Sequence, residues 1–516
     1  MRNFDPLIEK LLASGVKNPD DLARVKRRMA KEHRIPCPSN VALLKIYHEM
    51  VKKGMIKKSE KIAVLLRTRP IRSLSGIVNV SVLTKPYSCP GQCLYCPAEK
   101  GIPKSYVSGE PAVERARALN YDPYLQVKKR IEMLETEGHP TDKIELRIVG
   151  GTWSFYPKKY QSWFIKRCFD ACNNRNLVSS KKLSFQDTQK LNEKARHRII
   201  GLSIETRPDF INPREIKRLR ELGATMVELG VQSLDDDVLK KNLRGHGVKE
   251  TILATKLLKD AGFKVLYQMM PNLPGSSPAR DLKIFKELFS DARYQPDLLK
   301  IYPCALVREA PLYKLWKAEK YQPYTERQLI TLVKSIKKII PYYVRIQRIT
   351  RDIPSHSIAA GPAKISNLRQ MVAGNCRCIR CREVKGGYDP KEKISLFRQD
   401  YKASGGQEIF LSFENKNRTK LYSLLRLRMS GVGPRYMAII REVHTYGQLR
   451  PISGELFSAA SPQHKGLGKK LIREAERIVK KESASRWIAV ISGIGARDYW
   501  RRLGYKLENT YMVKEI

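Results

Sequence analysis

Six short apolar runs rich in β-branched residues recur between segments long enough for helices: GIVNVSVLT (76–84), IELRIVGG (144–151), IIGLSIET (199–206), TMVELGVQS (225–233), KVLYQMM (264–270) and LLKIYP (298–303). Strand and helix alternating in this way predict an α/β fold with a parallel sheet. Six units over about 230 residues suit a partial (β/α) barrel better than a closed eight-fold one, which takes about 250 residues and two further strands. Ligands then belong at the C-terminal ends of the strands, where SCPG, VGGTW, IETRPD, GVQS and MMPNLPGSS all fall.

The first of those loops carries Cys89, Cys93 and Cys96, spaced C-x3-C-x2-C. Three thiolates can hold three irons of a 4Fe-4S cluster and leave the fourth open, whereas structural zinc prefers four closed ligands. This spacing after the first barrel strand resembles the radical S-adenosylmethionine (SAM) superfamily. The resemblance implies that the open iron chelates the amino and carboxylate groups of SAM and that electron transfer yields a 5'-deoxyadenosyl radical. The later loops fit that reading: Gly150, Gly151 and Thr152 let backbone approach a ligand, Glu205 and Arg207 suit the polar ends of SAM, and Gln232 and Ser233 suit its ribose. Each loop alone is weak, because glycine pairs are common at strand ends; their joint order carries the weight.

A second group, Cys376, Cys378 and Cys381, is spaced C-x-C-x2-C, close enough for one metal. A fourth thiolate would complete a tetrahedral zinc site, and Cys304, at the end of the last expected strand, is the candidate. Three packed or redox-active thiols are the alternative. Cys168 and Cys172, one helical turn apart, read as buried thiols.

The 516 residues exceed what one core organises, so two to four domains are expected. With 98 Lys and Arg against 51 Asp and Glu, the formal charge is +47. Ion-pair networks would raise both signs together, so the surplus points to a polyanionic partner. Residues 1–87 hold 19 basic and 7 acidic residues, and short amphipathic helices such as DPLIEKLLASG and SNVALLKIYHEMVKKG are expected there. No stretch reaches the roughly 18 apolar residues of a membrane span, so no membrane partner and a cytoplasmic location are the default, with cysteines reduced.

Near the C-terminus, QHKGLGKKLIREAERI places Gln463, Gly466, Leu467 and Gly468 at a strand-to-helix junction whose free amides suit a pyrophosphate. Q-x-x-G-x-G before an amphipathic helix resembles the acetyl-CoA loop of the GNAT acetyltransferases, in which a tyrosine placed like Tyr499 lies beside the thioester and acts as general acid.

A radical SAM barrel followed by a GNAT domain resembles the tRNA uridine carboxymethyltransferase family, that of the Elongator catalytic subunit. Segments such as RPIRSLSGIVNV, IETRPDFI, ELGVQSLDDDVL, RGHGV, QRITRDIP and GYKLENTYMVKEI carry the likeness over nearly the whole chain. The resemblance implies an acyltransferase that forms 5-carboxymethyluridine at the wobble position, on the tRNA anticodon stem-loop, from acetyl-CoA. It implies acetyl-CoA contacts at Lys143, Glu442, Val443, His444, Thr445, the Gly466–Gly468 stretch and Tyr499. Lys300 and Tyr302 share a strand face and are further candidate catalytic groups. The expected organisation is a basic helical tRNA-binding region (1–70), the barrel (71–308), a zinc-binding connector (309–384) and the GNAT domain (385–516). Accessory subunits or a homodimer are further expected partners. Two rivals stand beside this: a protein lysine acetyltransferase with a purely structural Fe-S cluster, and a non-catalytic tRNA-binding scaffold.

Overall fold

In the computed structural model, which describes residues 5–57, 59–174, 183–385, 388–429, 438–447, 449, 462–463, 466–483 and 485–516, the six expected runs are strands. They are β1 (Val78–Leu83), β2 (Lys143–Val149), β3 (Arg198–Thr206), β4 (Met226–Gln232), β5 (Lys264–Met269) and β6 (Leu298–Ile301). Each pairs in parallel with the next, because the connections contain helices that return the chain to the same end of the sheet. Those helices start cleanly. Asp122, Asn212 and Ser277 each accept a hydrogen bond from the backbone N–H three residues on, at 2.8, 3.0 and 3.2 Å, and each is followed by proline at the first helical position.

The barrel has seven strands rather than six. After β6 a two-residue strand, β7 (Leu306–Val307), leaves the sheet, and the chain returns to pair β8 (Arg345–Ile349) in parallel with β6. A short β9 (Ile358–Ala360) then pairs antiparallel with β7. The sheet order β1-β2-β3-β4-β5-β6-β8 leaves β1 and β8 as edges, so the barrel is partial, as expected. The segment 309–384 therefore contributes the last barrel strand besides linking domains. Arg345-Ile346-Gln347-Arg348-Ile349 has only two apolar residues, the pattern of a half-buried edge strand, and so lacks the continuous apolar run that marks a central one.

The C-terminal region is a mixed seven-stranded sheet in the order β10-β11-β12-β13-β14-β16-β15. Its strands are β10 (Ile394–Ala403), β11 (Gly406–Asn415), β12 (Leu421–Met429), β13 (Ala438–Thr445), β14 (Trp487–Val490), β15 (Lys506–Glu508) and β16 (Tyr511–Glu515). The helix Leu467–Glu482 lays Leu471, Ile472, Ala475, Ile478 and Val479 on this sheet. Strands β13 and β14 are paired only at Ile439 with Ala489 and Ile440 with Val490. Beyond that point β13 continues to Thr445 paired with β12 but not with β14, and a cleft opens between β13 and β14.

The two sheets are joined by a buried ionic cluster. Asp297, just before β6, receives Arg441 of β13 at 3.0 Å, and Arg441 also donates to Glu408 of β11 at 2.7 Å. Lys259, at the end of the helix Val248–Asp260, lies 3.6 Å from both carboxylates. At the other end, the helices Asp5–Ala13, Pro19–Glu32, Asn40–Lys52 and Glu60–Leu66 close over a small core that includes Leu43, Leu44, Tyr47 and Met50. Arg67 ties this bundle to the barrel by donating to the Gly138 carbonyl at 2.8 Å. Among the described residues no helix is long and apolar enough to cross a membrane.

Candidate active site

The cysteine loop lies at the C-terminal mouth of the barrel, and its neighbours are the loops named from the sequence. The Gly91 N–H points at Cys89 Sγ (3.5 Å), Thr152 Oγ1 lies 3.6 Å from the same sulfur, and Arg244 donates to Cys93 Sγ at 3.4 Å. Gly150 adopts φ 113°, and a Cβ there would collide with Thr84, so the β2 turn needs glycine. Arg207 pairs with Asp209 at 2.9 and 2.8 Å and packs under Gly91.

Around these thiols several buried polar atoms have no partner among the described residues: Arg207 Nη1, Gln232 Oε1, Ser233 Oγ and His246 Nε2. Each such orphan costs about 1–3 kcal/mol unless something polar satisfies it. Three thiols beside convergent, unsatisfied donors and acceptors fit an iron-sulfur cluster with a polar ligand. The sulfur spacing agrees. Cys376, Cys378 and Cys381 are the only group of metal-ligating side chains among the described residues whose ligand atoms all fall within 4.8 Å of one another. Thiolates on three separate irons must stand farther apart than thiolates sharing one ion, as those of the first loop do.

Below the mouth the barrel lumen is charged. Lys300 of β6 donates to Glu205 at 3.0 Å and to Glu228 of β4, and Arg147 of β2 donates to Glu228 at 2.6 Å and to Gln347 of β8 at 3.1 Å. Gln268 of β5 donates to Glu205 at 3.1 Å. Burial works against the Lys300 charge, but Glu228, Tyr302 and Glu205 outweigh it and hold the ammonium protonated well above the ordinary lysine range. Glu228 is buried too, yet Arg147 and Lys300 hold its carboxyl below the usual range. Glu205 goes the other way: burial, helped by Glu228, raises it against the pull of Lys300. Tyr302 is half-buried with its ring 5.6 Å from the Lys300 ammonium. Lys300 thus faces the lumen, as its place on the strand implied, and it is ion-paired there.

The opposite, N-terminal end of the barrel forms one wall of a cavity of about 570 Å³, lined by Lys143, Lys264, Val443, His444, Gly468 and Tyr499 among others. Lys143 reaches Gln463 Oε1 at 3.3 Å, and Gln463 donates to the Gly76 and Thr445 carbonyls at 3.3 and 3.0 Å. Lys264 binds Glu442 at 3.2 Å, and His444 Nε2 contacts the Ser75 carbonyl at 2.7 Å. Gly466 (φ 78°) starts the helix Leu467–Glu482 without a side-chain cap, so the first-turn amides of Leu467 and Gly468 face the cavity. A Cβ on Gly468 would lie 3.7 Å from Tyr499 Oη, Thr445 Oγ1 and Val443, so the named groups converge. Burial raises the Tyr499 phenol and lowers the His444 imidazole, which keeps both neutral near pH 7.

Cys304 does not join the second cysteine group. It is buried with Cys93, Tyr95, Leu273 and Tyr321, beneath the first loop, and burial pushes its thiol up to about 12. The end of β6 points that residue into the barrel mouth, while Cys376–Cys381 lie along β8, where the Ile379 N–H donates to the Val344 carbonyl at 2.9 Å. Sequence reading assigned no role to Arg147, Glu228, Arg244 or Lys264. The signal for one of them was present: Glu228 is the lone charge inside the otherwise apolar strand run MVELGVQ.

Comparison with known proteins agrees with this arrangement. Residues 84–288 match the model of the radical SAM superfamily and residues 296–377 that of the radical SAM C-terminal domain. The tRNA uridine(34) acetyltransferase of Methanocaldococcus infernus is 44% identical over 96% of this chain and 95% of its own. Elongator complex protein 3 of Homo sapiens is 36% identical over 100% of this chain and 97% of its own. The solved structure of the archaeal Methanocaldococcus infernus Elp3 with an N-terminal deletion superposes with a TM-score of 0.74 at 43% identity, covering 86% of this chain and all of that one. Radical SAM membership carries a 4Fe-4S cluster and SAM with it, and the thiol loop with its orphaned polar atoms has the donors for both. With 44% identity over nearly its full length, the chain belongs to the family of the tRNA uridine(34) acetyltransferases and Elongator complex protein 3.

Proposed function

We propose that the protein is an acyltransferase that modifies the wobble uridine of tRNA, forming 5-carboxymethyluridine with acetyl-CoA as the donor. The carrying observation is that the thiol loop and the cavity under Gly466–Gly468 stand at opposite ends of one barrel, with the buried charges of Lys300, Glu228 and Arg147 on the strands between them. Strand β2 alone spans the two, from Lys143 in the cavity to Gly150 beside the cysteines, roughly 23 Å at about 3.3 Å per residue.

Cys89, Cys93 and Cys96 would hold the cluster, with Arg244 steadying the Cys93 sulfur. Arg207, Gln232 and Ser233 offer SAM the polar contacts that their unpartnered atoms lack. Bound together, the cluster and SAM supply a one-electron, hydrogen-abstracting radical chemistry. At the other end, the first-turn amides of the helix Leu467–Glu482 suit the pyrophosphate of acetyl-CoA, and Lys143 and Lys264 stand where the donor meets the barrel. When water attacks the thioester carbonyl and the C–S bond breaks, Tyr499, kept protonated by burial, can give a proton to the departing CoA thiolate, leaving the carboxylate on the uridine. Lys300 and Arg147 place positive charge along the lumen where a carboxylate develops, and Glu205, raised by its burial, can carry a proton there.

Zinc is proposed for Cys376, Cys378 and Cys381, whose three sulfurs suit one ion, though no fourth Cys, His, Asp or Glu joins them within 4.8 Å among the described residues. Its role there would be to pin the segment after β8 to the barrel edge. The basic N-terminal helices and the +47 charge suit the tRNA backbone. The inner wall of the cavity is the barrel itself, which favours tRNA chemistry over acetylation of protein lysines.

The test is transfer of label. Anaerobic, reconstituted enzyme given dithionite, SAM, labelled acetyl-CoA and tRNA should place label in a uridine-derived nucleoside. Label in protein alone, or tRNA binding without label, refutes the assignment.

A further inference from the structure

A ladder of aromatic rings runs outward from the barrel mouth and is used by neither site. It begins at Tyr87, two residues before Cys89, whose ring stacks on Tyr156 at 4.9 Å; Tyr156 stacks on Tyr160 at 5.2 Å, and Tyr160 meets Trp163 at 5.6 Å. Tyr87 also packs against Phe155 at 6.0 Å. The outer rings are not buried: Tyr87 is 38%, Phe155 37% and Trp163 45% exposed. Tyr156, at 3% exposed, is a buried brace behind the ladder; the outer rings stay exposed although burying each is worth roughly 1.5–3 kcal/mol, which marks a contact surface.

The surroundings state the partner's chemistry. Lys85 is exposed with its ammonium 5.1 Å over the Tyr160 ring, and Lys158 and Lys159 are exposed at the start of the next helix. Lys158 shares its charge with Glu215 at 2.7 Å. Beside Trp163 a recess of about 350 Å³ opens between Lys85, Tyr160 and Asn120. Its one carboxylate, Asp122, is already engaged, receiving the Leu125 N–H at 2.8 Å and Arg167 at 3.3 Å. Stacked rings interleaved with exposed ammonium groups are the elements that hold unpaired nucleic-acid bases and their phosphates.

We propose that Tyr87, Tyr160 and Trp163, braced by the buried Tyr156 and joined by Lys85 and Lys159, form a stacking platform for the unpaired bases next to the modified uridine. This rests on the tRNA reading above. A uridine drawn into the barrel mouth loses its neighbours in the anticodon stack, and the ladder starts where those neighbours leave the mouth. The recess beside Trp163 then takes the outermost base, with Lys85 against its phosphate.

The test measures binding of an anticodon stem-loop RNA to the full-length, cluster-loaded protein. Trp163→Ala should weaken binding about ten-fold, the loss of one base-aromatic stack, and Trp163→Phe should restore most of it. Lys85→Ala should weaken binding and flatten its salt dependence. A 2-aminopurine beside the wobble uridine should be quenched by wild type and not by Trp163→Ala. Unchanged affinity in Tyr87→Ala and Trp163→Ala overturns the platform even where label still reaches tRNA. Unchanged affinity with an altered oligomeric state overturns it in favour of a protein contact. Failure of the wild type to bind tRNA overturns both this inference and the function it rests on.

Discussion

Lys300 Nζ lies 3.0 Å from a Glu205 carboxylate oxygen while it also binds Glu228, so one buried cation couples strands β3, β4 and β6 in mid-lumen. Both carboxylates would otherwise be buried charges with fewer partners. The pairing positions a proton-bearing group between the cysteine loop and the donor cavity.

Lys300→Met should therefore lower modification at least about 100-fold, the usual range for losing a buried electrostatic stabiliser. Its stability should fall by about 3–5 kcal/mol, because one partner of a buried pair is removed. Acetyl-CoA affinity, measured by calorimetry, should stay near wild type, since the cavity lies at the other end of the barrel. Lys300→Arg should recover most of the stability. A Lys300→Met enzyme with wild-type turnover would remove this residue from the mechanism.

The ionic cluster between the two sheets makes a separate prediction. Arg441 is buried against Asp297 and Glu408. Arg441→Met leaves two carboxylates short of a partner and should destabilise the chain by about 3–5 kcal/mol in denaturant unfolding. Because Arg441 shares these partners with Lys259, Arg426 and Arg428, the double variant Arg441→Met, Asp297→Asn should cost less than the sum of the singles.

A pH dependence follows from His139, which is buried against Ser73 Oγ at 2.9 Å and the Thr68 carbonyl at 3.0 Å. Burial first, then Arg67, lowers its imidazole to about 4. The unfolded chain takes up this proton near 6.5 and the folded chain only near 4, so the unfolded state binds more protons between them and stability falls as pH drops through that window. His139→Gln should flatten thermal stability between pH 6.5 and 4. An unchanged slope in the variant would contradict the assignment.

Cys378→Ser should remove about one zinc per chain by metal analysis, leave the iron content unchanged and lower the melting temperature. Cys304→Ser should leave zinc unchanged, because its thiol lies under the first loop. Zinc loss on changing Cys304 would restore it as a ligand.

Strands β1 to β6 could be read because strands of a parallel sheet packed under helices need apolar, β-branched runs. Strand β8 reads as extended within YYVRIQRITRDIP, but not as part of the barrel, since its edge position and the polar Arg345, Gln347 and Arg348 deny it the continuous apolar run of the other strands. β10 was missed for a like reason: all but one of its ten residues are exposed or partly so. At the site, the cysteine loop and the glycines of the Gly466–Gly468 stretch were legible from local spacing, whereas Lys143, His444 and Tyr499 were named only through the resemblance to the family. The lumen and the Asp297–Arg441 lock were not, because their partners come from strands far apart in sequence and only the sheet brings them together. Cys304 failed for the same reason: proximity to a fourth metal position is a property of topology and leaves no mark on spacing.

The central claim, that the radical site and the donor site perform one reaction, is tested most directly with acetyl-CoA deuterated on its methyl group. In anaerobic turnover with tRNA, mass spectrometry should find deuterium in the 5'-deoxyadenosine released from SAM, in step with 5-carboxymethyluridine formed. Deoxyadenosine free of deuterium, while modified uridine accumulates, would contradict the account.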